Sequence, residues 1–237
     1  MSYVLPIWLW WDSKTFMWKT LASALRSQLK IVLTVASSGI ASLLFPRGRT
    51  THSKFRIAIP TLDTSVCNIQ QGSEVSELLQ KAELIIWDEA PMAHKFCFEA
   101  LDKTLNDIMR KENKSNSVFG GKVIVFGGDF RQILPVIPRG NRSNIVHATI
   151  NASYLLDQCQ ILTLTKNMRL LQNELQKSDA RQIQEFSEWI VKLGDGKLFE
   201  QSFIYSFLSI TRHPDLNWGK RICSPPPYHS AMLPIKI

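Results

Sequence analysis

Residues 84–92 read Leu84-Ile85-Ile86-Trp87-Asp88-Glu89-Ala90-Pro91-Met92. An apolar run passes directly into two adjacent carboxylates. An unbroken run of this kind suits a strand covered on both faces of a parallel sheet, since a half-exposed strand would alternate. Sheets of that class bind ligands at their carboxyl edge, so Asp88 and Glu89 are expected at a ligand site. There, one carboxylate holds a metal through a water and the other polarises an attacking water. This is the Walker B arrangement of an ATPase. The competing reading is a strand that ends in a solvated acidic turn.

A second apolar run, Lys122–Phe126, ends in Gly127-Gly128-Asp129-Phe130-Arg131-Gln132-Ile133-Leu134-Pro135-Val136. The two glycines predict a tight turn at the strand end. Gln132 follows on the loop, where an amide can reach a terminal phosphate or its attacking water. Two strand-to-acid junctions, the second with a glutamine beside it, favour a site over a solvated turn.

WDEAPM (87–92), GGDFRQILPV (127–136), VASSGIASLLFPRGRTTHSKF (35–55) and LTKNMRL (164–170) resemble the Pif-type (petite integration frequency) ATP-dependent DNA helicases of superfamily one, in particular the plant, Helitron-associated branch. The resemblance runs from about Ser13 to about Leu198. It implies an α/β, RecA-like P-loop NTPase fold with a parallel sheet and helices on both faces, here the first motor domain. It implies 5′-to-3′ movement on single-stranded DNA and opening of duplex junctions. It further implies ATP and Mg2+ as cofactors, a nuclear location, and work in DNA repair, recombination and telomere maintenance. Carried onto this chain, Lys14 neutralises the β/γ-phosphates, and Thr15 and Asp88 hold magnesium. Glu89 orients the water, and Gln132 and Arg169 sense the γ-phosphate. The DNA contacts fall on Ser38, Arg47, Arg49, Thr51, His52 and Phe55.

The chain departs from that family in two places. A phosphate-binding loop needs glycines, because its amides close on the phosphates. Here Trp10-Trp11-Asp12-Ser13 precede Lys14-Thr15, and the first glycine is Gly39. The bland alternative for Lys14-Thr15 is a helix N-terminus capped by Asp12 or Ser13. Beyond Leu198 the family look is lost, and residues 199–237, with Ser224-Pro225-Pro226-Pro227, are expected to form a divergent, poorly structured tail. No counterpart of the second motor domain of such helicases is expected in these residues. Two alternatives therefore stand beside the helicase: a remnant that keeps the fold and binds single strands weakly, and a non-helicase RecA-like ATPase.

The net charge of +8 favours a polyanionic partner. Residues 1–60 carry eight Lys/Arg against one acid, residues 61–130 net −4, and the remainder nets +5. Arg47, Arg49, Lys54 and Arg56 surround Thr51, His52 and Phe55, a pattern suited to backbone contact plus base stacking on single strands. Cys67, Cys97, Cys159 and Cys223 have neither C-x-x-C nor zinc spacing and read as reduced thiols of an intracellular protein. The apolar stretch Tyr3–Trp11 is far short of the ~20 residues of a membrane span, so no membrane association is expected. The oligomeric state is not legible. Hydrophobic spacing predicts helices over 14–28, 40–45, 74–81, 95–111 and 173–193. It predicts strands over 31–36, 84–88, 122–126 and 161–165, with irregular chain over 47–72.

Overall fold

The computed structural model describes residues 7–8, 11–110, 117–163 and 177–197. The chain divides into two compact units, Met1–Leu171 and Gln172–Ile237. The first contains β1 (Ile7–Trp8), α1 (Trp11–Ser27), β2 (Ile31–Ala36), α2 (Gly39–Ser42), β3 (Arg49–Thr50), α3 (Thr51–Phe55), α4 (Glu74–Lys81), β4 (Ala82–Asp88), α5 (Lys95–Met109), β5 (Val123–Phe126), α6 (Arg142–Ala148) and β6 (Leu162–Thr163). The second contains α7 (Lys177–Gly194).

The main sheet has the order β3-β2-β4-β5, and every pairing in it is parallel. β1 and β6 form a separate parallel pair. The register aligns Ala36 with Asp88 and Trp87 with Phe126, so β2, β4 and β5 end together at one carboxyl edge.

Successive strand residues point to opposite faces, and here both faces are apolar. Leu33, Val35, Ile85, Trp87, Ile124 and Phe126 enter one core with Leu79 of α4 and Phe98, Leu101 and Leu105 of α5. Val32, Leu84, Ile86 and Val125 enter a second core with Trp18 and Ala22 of α1. Helices thus cover both faces, which is why β4 reads as an unbroken apolar run. This is the expected α/β architecture. Trp87 lies at the centre of the larger core, with ring centroids 4.4 Å from Phe98, 5.7 Å from Phe126 and 6.2 Å from Phe55. Its Nε1 donates to Ser37 Oγ at 2.9 Å, which satisfies the buried indole and joins the ends of β4 and β2.

The expected bounds hold for β2 and α4 and nearly so for α5. β5 begins at Val123, since Lys122 ends the 3-10 turn Val118–Gly121 that precedes the strand. α1 begins at Trp11, so Asp12 and Ser13 lie within the helix and not before it. The 47–72 segment is not irregular throughout. It holds β3 and then α3, whose N-cap is Thr50 and whose end is Arg56 in the left-handed region at φ 51°. α6 was not expected, and a reciprocal capping box between Asn141 and Asn144 starts it. Residues 111–116, 164–165, 173–176, Cys223 and the tail 199–237 lie outside the described residues. Cys67, Cys97 and Cys159 are free thiols, and burial pushes Cys67 up to about 11 and Cys159 up to about 12. No helix among the described residues is long and apolar enough to cross a membrane.

Gly127 and Gly128 are needed for close approach rather than for an unusual turn, since neither has positive φ. A Cβ on Gly127 would lie 2.5 Å from Trp18 Cζ2 and 3.0 Å from Asp88 Oδ1, and one on Gly128 would lie 2.0 Å from Pro91 Cδ. Gly128→Ala is therefore expected to cost about 1–3 kcal/mol through overpacking. The check is a lowered urea midpoint at unchanged m-value, and an unchanged midpoint contradicts this packing.

Candidate functional site

Strand alternation places Asp88 on the same face as Leu84 and Ile86, the face that α1 covers. Lys14 of α1 meets it there, with Nζ 3.1 Å from Asp88 Oδ1. Were the chain to stay extended, Glu89 would point to the opposite face. Instead Glu89 adopts the left-handed region at φ 53°, ψ 40°. The turn brings its carboxylate back to the same ammonium, with Lys14 Nζ donating to Glu89 Oε1 at 2.8 Å. A non-glycine residue held there costs of order 1–3 kcal/mol. The surroundings impose it: Ser37 N donates to Asp88 O at 3.0 Å, Ala90 N to Gly127 O at 2.8 Å, and Gly127 N to Trp87 O at 2.9 Å.

The side chains of Lys14, Asp88 and Glu89 are 4%, 2% and 10% exposed. Burial by itself lowers the Lys14 pKa, but the charges of Asp88 and Glu89 together outweigh it, and the net shift is upward. Lys14 therefore stays an ammonium at neutral pH. Asp88 Oδ1 is buried and receives no hydrogen bond of good geometry among the described residues, so its 3.1 Å approach to Nζ is a Coulombic contact. Trp18 lies one turn after Lys14, and its Nε1 is likewise buried without a hydrogen-bond partner among the described residues.

These residues fit one end of ATP·Mg2+. A buried carboxylate oxygen short of hydrogen bonds suits a metal-bound water, and a buried ammonium suits phosphate oxygens. The other end is not supplied in the usual way. α1 already runs from Trp11, so Lys14 lies within a helix and not at the end of a glycine turn. Among the described residues no three His, Cys, Asp or Glu side chains form a ready-made metal site.

The remaining candidates divide. Thr15 follows Lys14 in α1 and is half-buried, and Gln132 is exposed on the loop after β5, where its N–H donates to Asp129 O at 3.0 Å. Arg169 lies outside the described residues. Ser38 caps α2, its Oγ accepting from Ala41 N at 3.1 Å. Arg47 and Arg49 are exposed, as is Arg56. Two expected DNA contacts are corrected. Phe55 is fully buried against Trp87 and has no face free for a base. Thr51 is also fully buried, and its hydroxyl has no hydrogen-bond partner among the described residues. His52 is half-buried, with Nε2 3.8 Å from Cys97 Sγ, and burial lowers its pKa. Two features escaped sequence reading: the left-handed Glu89 and the Trp18–Gly127 contact. The second had a signal, since Trp18 follows Lys14 at i+4 and shares its helix face.

The sequence model of a family described as PIF1-like helicase matches residues 12–202. The ATP-dependent DNA helicase Pif1 of Psychrobacter sp. (strain PRwf-1) is 27% identical over 160 residues, 67% of this chain and 24% of that one. The ATP-dependent DNA helicase RRM3 of Saccharomyces cerevisiae is 31% identical over 157 residues, 65% of this chain and 21% of that one. The chain thus spans a quarter or less of the length of these curated relatives. In structure, the chain is similar to Pif1 helicase from Bacteroides in complex with ADP-AlF3 and ssDNA, with a TM-score of 0.67 at 22% identity over 93% of this chain and 48% of that one. At that identity the likeness is one of fold.

Removing the central charge tests the triad. Lys14→Met leaves two buried carboxylates facing each other and is expected to cost about 3–5 kcal/mol, with much of the loss recovered in Lys14→Met/Glu89→Gln. A folded lysine pKa above the unfolded value contributes stability that is fully present below about pH 10.4 and lost as pH rises through the folded pKa. The stability gap between wild type and Lys14→Met should therefore be level across neutral pH and close in strong alkali. Equal stability at pH 7 contradicts the triad. Separately, Phe55→Ala is expected to lose about 3–5 kcal/mol as a core truncation, read from thermal melts. A change that weakened DNA binding and left the melt unaltered would restore the ring to the surface.

Proposed function

Because the chain belongs to the PIF1-like helicase family, we propose that it acts as the first motor domain of an ATP-dependent DNA helicase moving 5′-to-3′ on single-stranded DNA and opening duplex junctions. The observation that carries this reading is the meeting of Lys14 with Asp88 and Glu89 at the carboxyl edge of the central strands. The curated relatives are named ATP-dependent DNA helicases, and the Bacteroides structure holds ADP-AlF3 and single-stranded DNA. The motor domain is proposed to extend to about Leu198, with 199–237 as a tail. The resemblance to the Pif-type helicases, in particular the plant Helitron-associated branch, carries the further assignment to nuclear DNA repair, recombination and telomere maintenance.

In this reading Lys14 exchanges its carboxylate partners for the β/γ-phosphates, and Thr15 and Asp88 hold magnesium, which screens the phosphate charge when bound. Glu89 orients the attacking water and accepts its proton, while Gln132 and Arg169 would sense the γ-phosphate. Ser38, Arg47 and Arg49 meet the DNA backbone. A second reading is favoured by one specific observation. With no glycine before Gly39 and α1 running from Trp11, the chain lacks the usual cradle of backbone amides for the triphosphate. It would then keep the fold and bind single strands without turnover.

ATP hydrolysis stimulated by single-stranded DNA separates the two. In the helicase reading wild type releases phosphate and Glu89→Gln does not, while nucleotide affinity is preserved, because the amide keeps the shape and cannot take a proton. Equal release by both proteins would remove Glu89 from the mechanism. No release by wild type, with DNA binding intact, would select the second reading.

A further inference from the structure

The strand register leaves part of the main sheet's edge open. β3 pairs with β2 only at Val35 and Ala36, so Ile31–Thr34 carry no strand on that side among the described residues. A crevice of about 400 Å³ lies along this edge, and Arg26, Lys30, Arg47 and Lys54 are among its lining residues, with no acid. These cations come from the last turn of α1, the turn into β2, the turn before β3, and α3. None of them pairs with a carboxylate among the described residues. The fold thus brings cations from four separate segments to one crevice whose lining has no acid.

Three details describe the setting of these cations. Arg26 donates to Val32 O at 3.1 Å, which fixes the guanidinium at the crevice wall and leaves further donors available. Arg47 holds a left-handed backbone at φ 60°, a strained conformation for a non-glycine residue. The Lys54 pKa is lowered, first by burial and then by the charge of Arg49, with no acid acting in the other direction. The crevice is also distinct from the Lys14 site. It flanks Ile31–Thr34 of β2, whereas Asp88 pairs with Ala36 at the carboxyl end, which puts the near end of the crevice roughly 7 Å and its far end roughly 16 Å away along the strand at about 3.3 Å per residue.

We propose that this crevice is a polyanion site that takes consecutive phosphates of a nucleic-acid strand, extending the contact surface from Arg47–Arg56 to Arg26 and Lys30. The proposal rests on the nucleic-acid reading above. A strand suits the crevice better than a free phosphate does. The cations are spread along an open edge rather than closed around one point, and Arg47 and Lys54 continue into exposed Arg49 and Arg56. Ile31, Pro46 and Leu78 supply an apolar wall for sugar faces.

The test is fluorescence anisotropy of the full chain with a fluorescein-labelled oligothymidylate over a range of salt concentrations. Each phosphate contact adds about 0.7 to the slope of log K against log salt for single strands. Arg26→Gln/Lys30→Gln should lower the slope by about 1.4 and weaken binding at low salt, and Lys30→Gln alone, which touches no backbone bond, by about half that. The charge-matched control Lys19→Gln/Lys81→Gln, on exposed positions outside the crevice, should keep the wild-type slope. A wild-type slope in both crevice variants overturns the proposal, and so does an equal loss in the control. If Arg49→Gln/Arg56→Gln loses binding while the crevice variants do not, the nucleic-acid reading stands and the crevice falls. If wild type binds no oligonucleotide, both fall. An oligoglutamate peptide that displaces the oligonucleotide at equal charge would point to an acidic protein partner and overturn the strand assignment.

Discussion

The ion pair from Lys14 to Asp88 and Glu89 ties together the two halves of this fold that matter for chemistry. α1 brings the ammonium from one face of the sheet, and β4 brings the carboxylates from its end. Neither side is tolerable alone: a buried ammonium without acids would lose its proton, and two buried acids without a cation would repel. The contact also makes sense of a backbone strain. Glu89 must leave the extended conformation for its carboxylate to reach the face where Asp88 already lies, and the left-handed turn accomplishes that. The residues that pack α1 against the sheet are therefore the same ones that prepare a charged site at its edge.

The larger core on the opposite face connects that site to the basic segment. Trp87 immediately precedes Asp88, packs on Phe55 and donates to Ser37. Ser37 N in turn donates to Asp88 O, and the neighbouring Ser38 caps α2. Phe55 thus serves the basic stretch as an anchor: it holds α3 in the core while Arg47, Arg49 and Arg56 remain in solvent. A shift of the β4 end would be felt at Ser37 and at α3 through packed side chains and hydrogen bonds. Contiguous contact of this kind is the physical requirement for coupling one site to another.

Much of this was legible because the fold is doubly covered. The apolar runs 31–36 and 84–88 mark strands whose two faces are both buried, and their carboxyl ends fall where the acids and glycines are. What was not legible depended on three-dimensional closeness. The spacing around Phe55 reads equally well as an aromatic on a DNA surface or as a core anchor, and only its packing on Trp87 decides. Gly127 and Gly128 look like turn glycines, yet Trp18 and Pro91, distant in sequence, are what exclude a side chain there. Lys14-Thr15 look like the end of a loop, whereas Trp11-Asp12-Ser13 already belong to the helix. The Arg26–Lys30 crevice was not legible because a charge count cannot show that residues from separate turns line one edge.

Calorimetric titration of the full chain with ATPγS, run with and without magnesium, distinguishes a nucleotide site from a structural ion pair most directly. If Lys14 and Asp88 serve phosphate and metal, binding saturates at one nucleotide per chain and is tighter with magnesium. Absence of saturable binding in both conditions, or an affinity indifferent to magnesium, would mean that the three residues only hold α1 to the sheet.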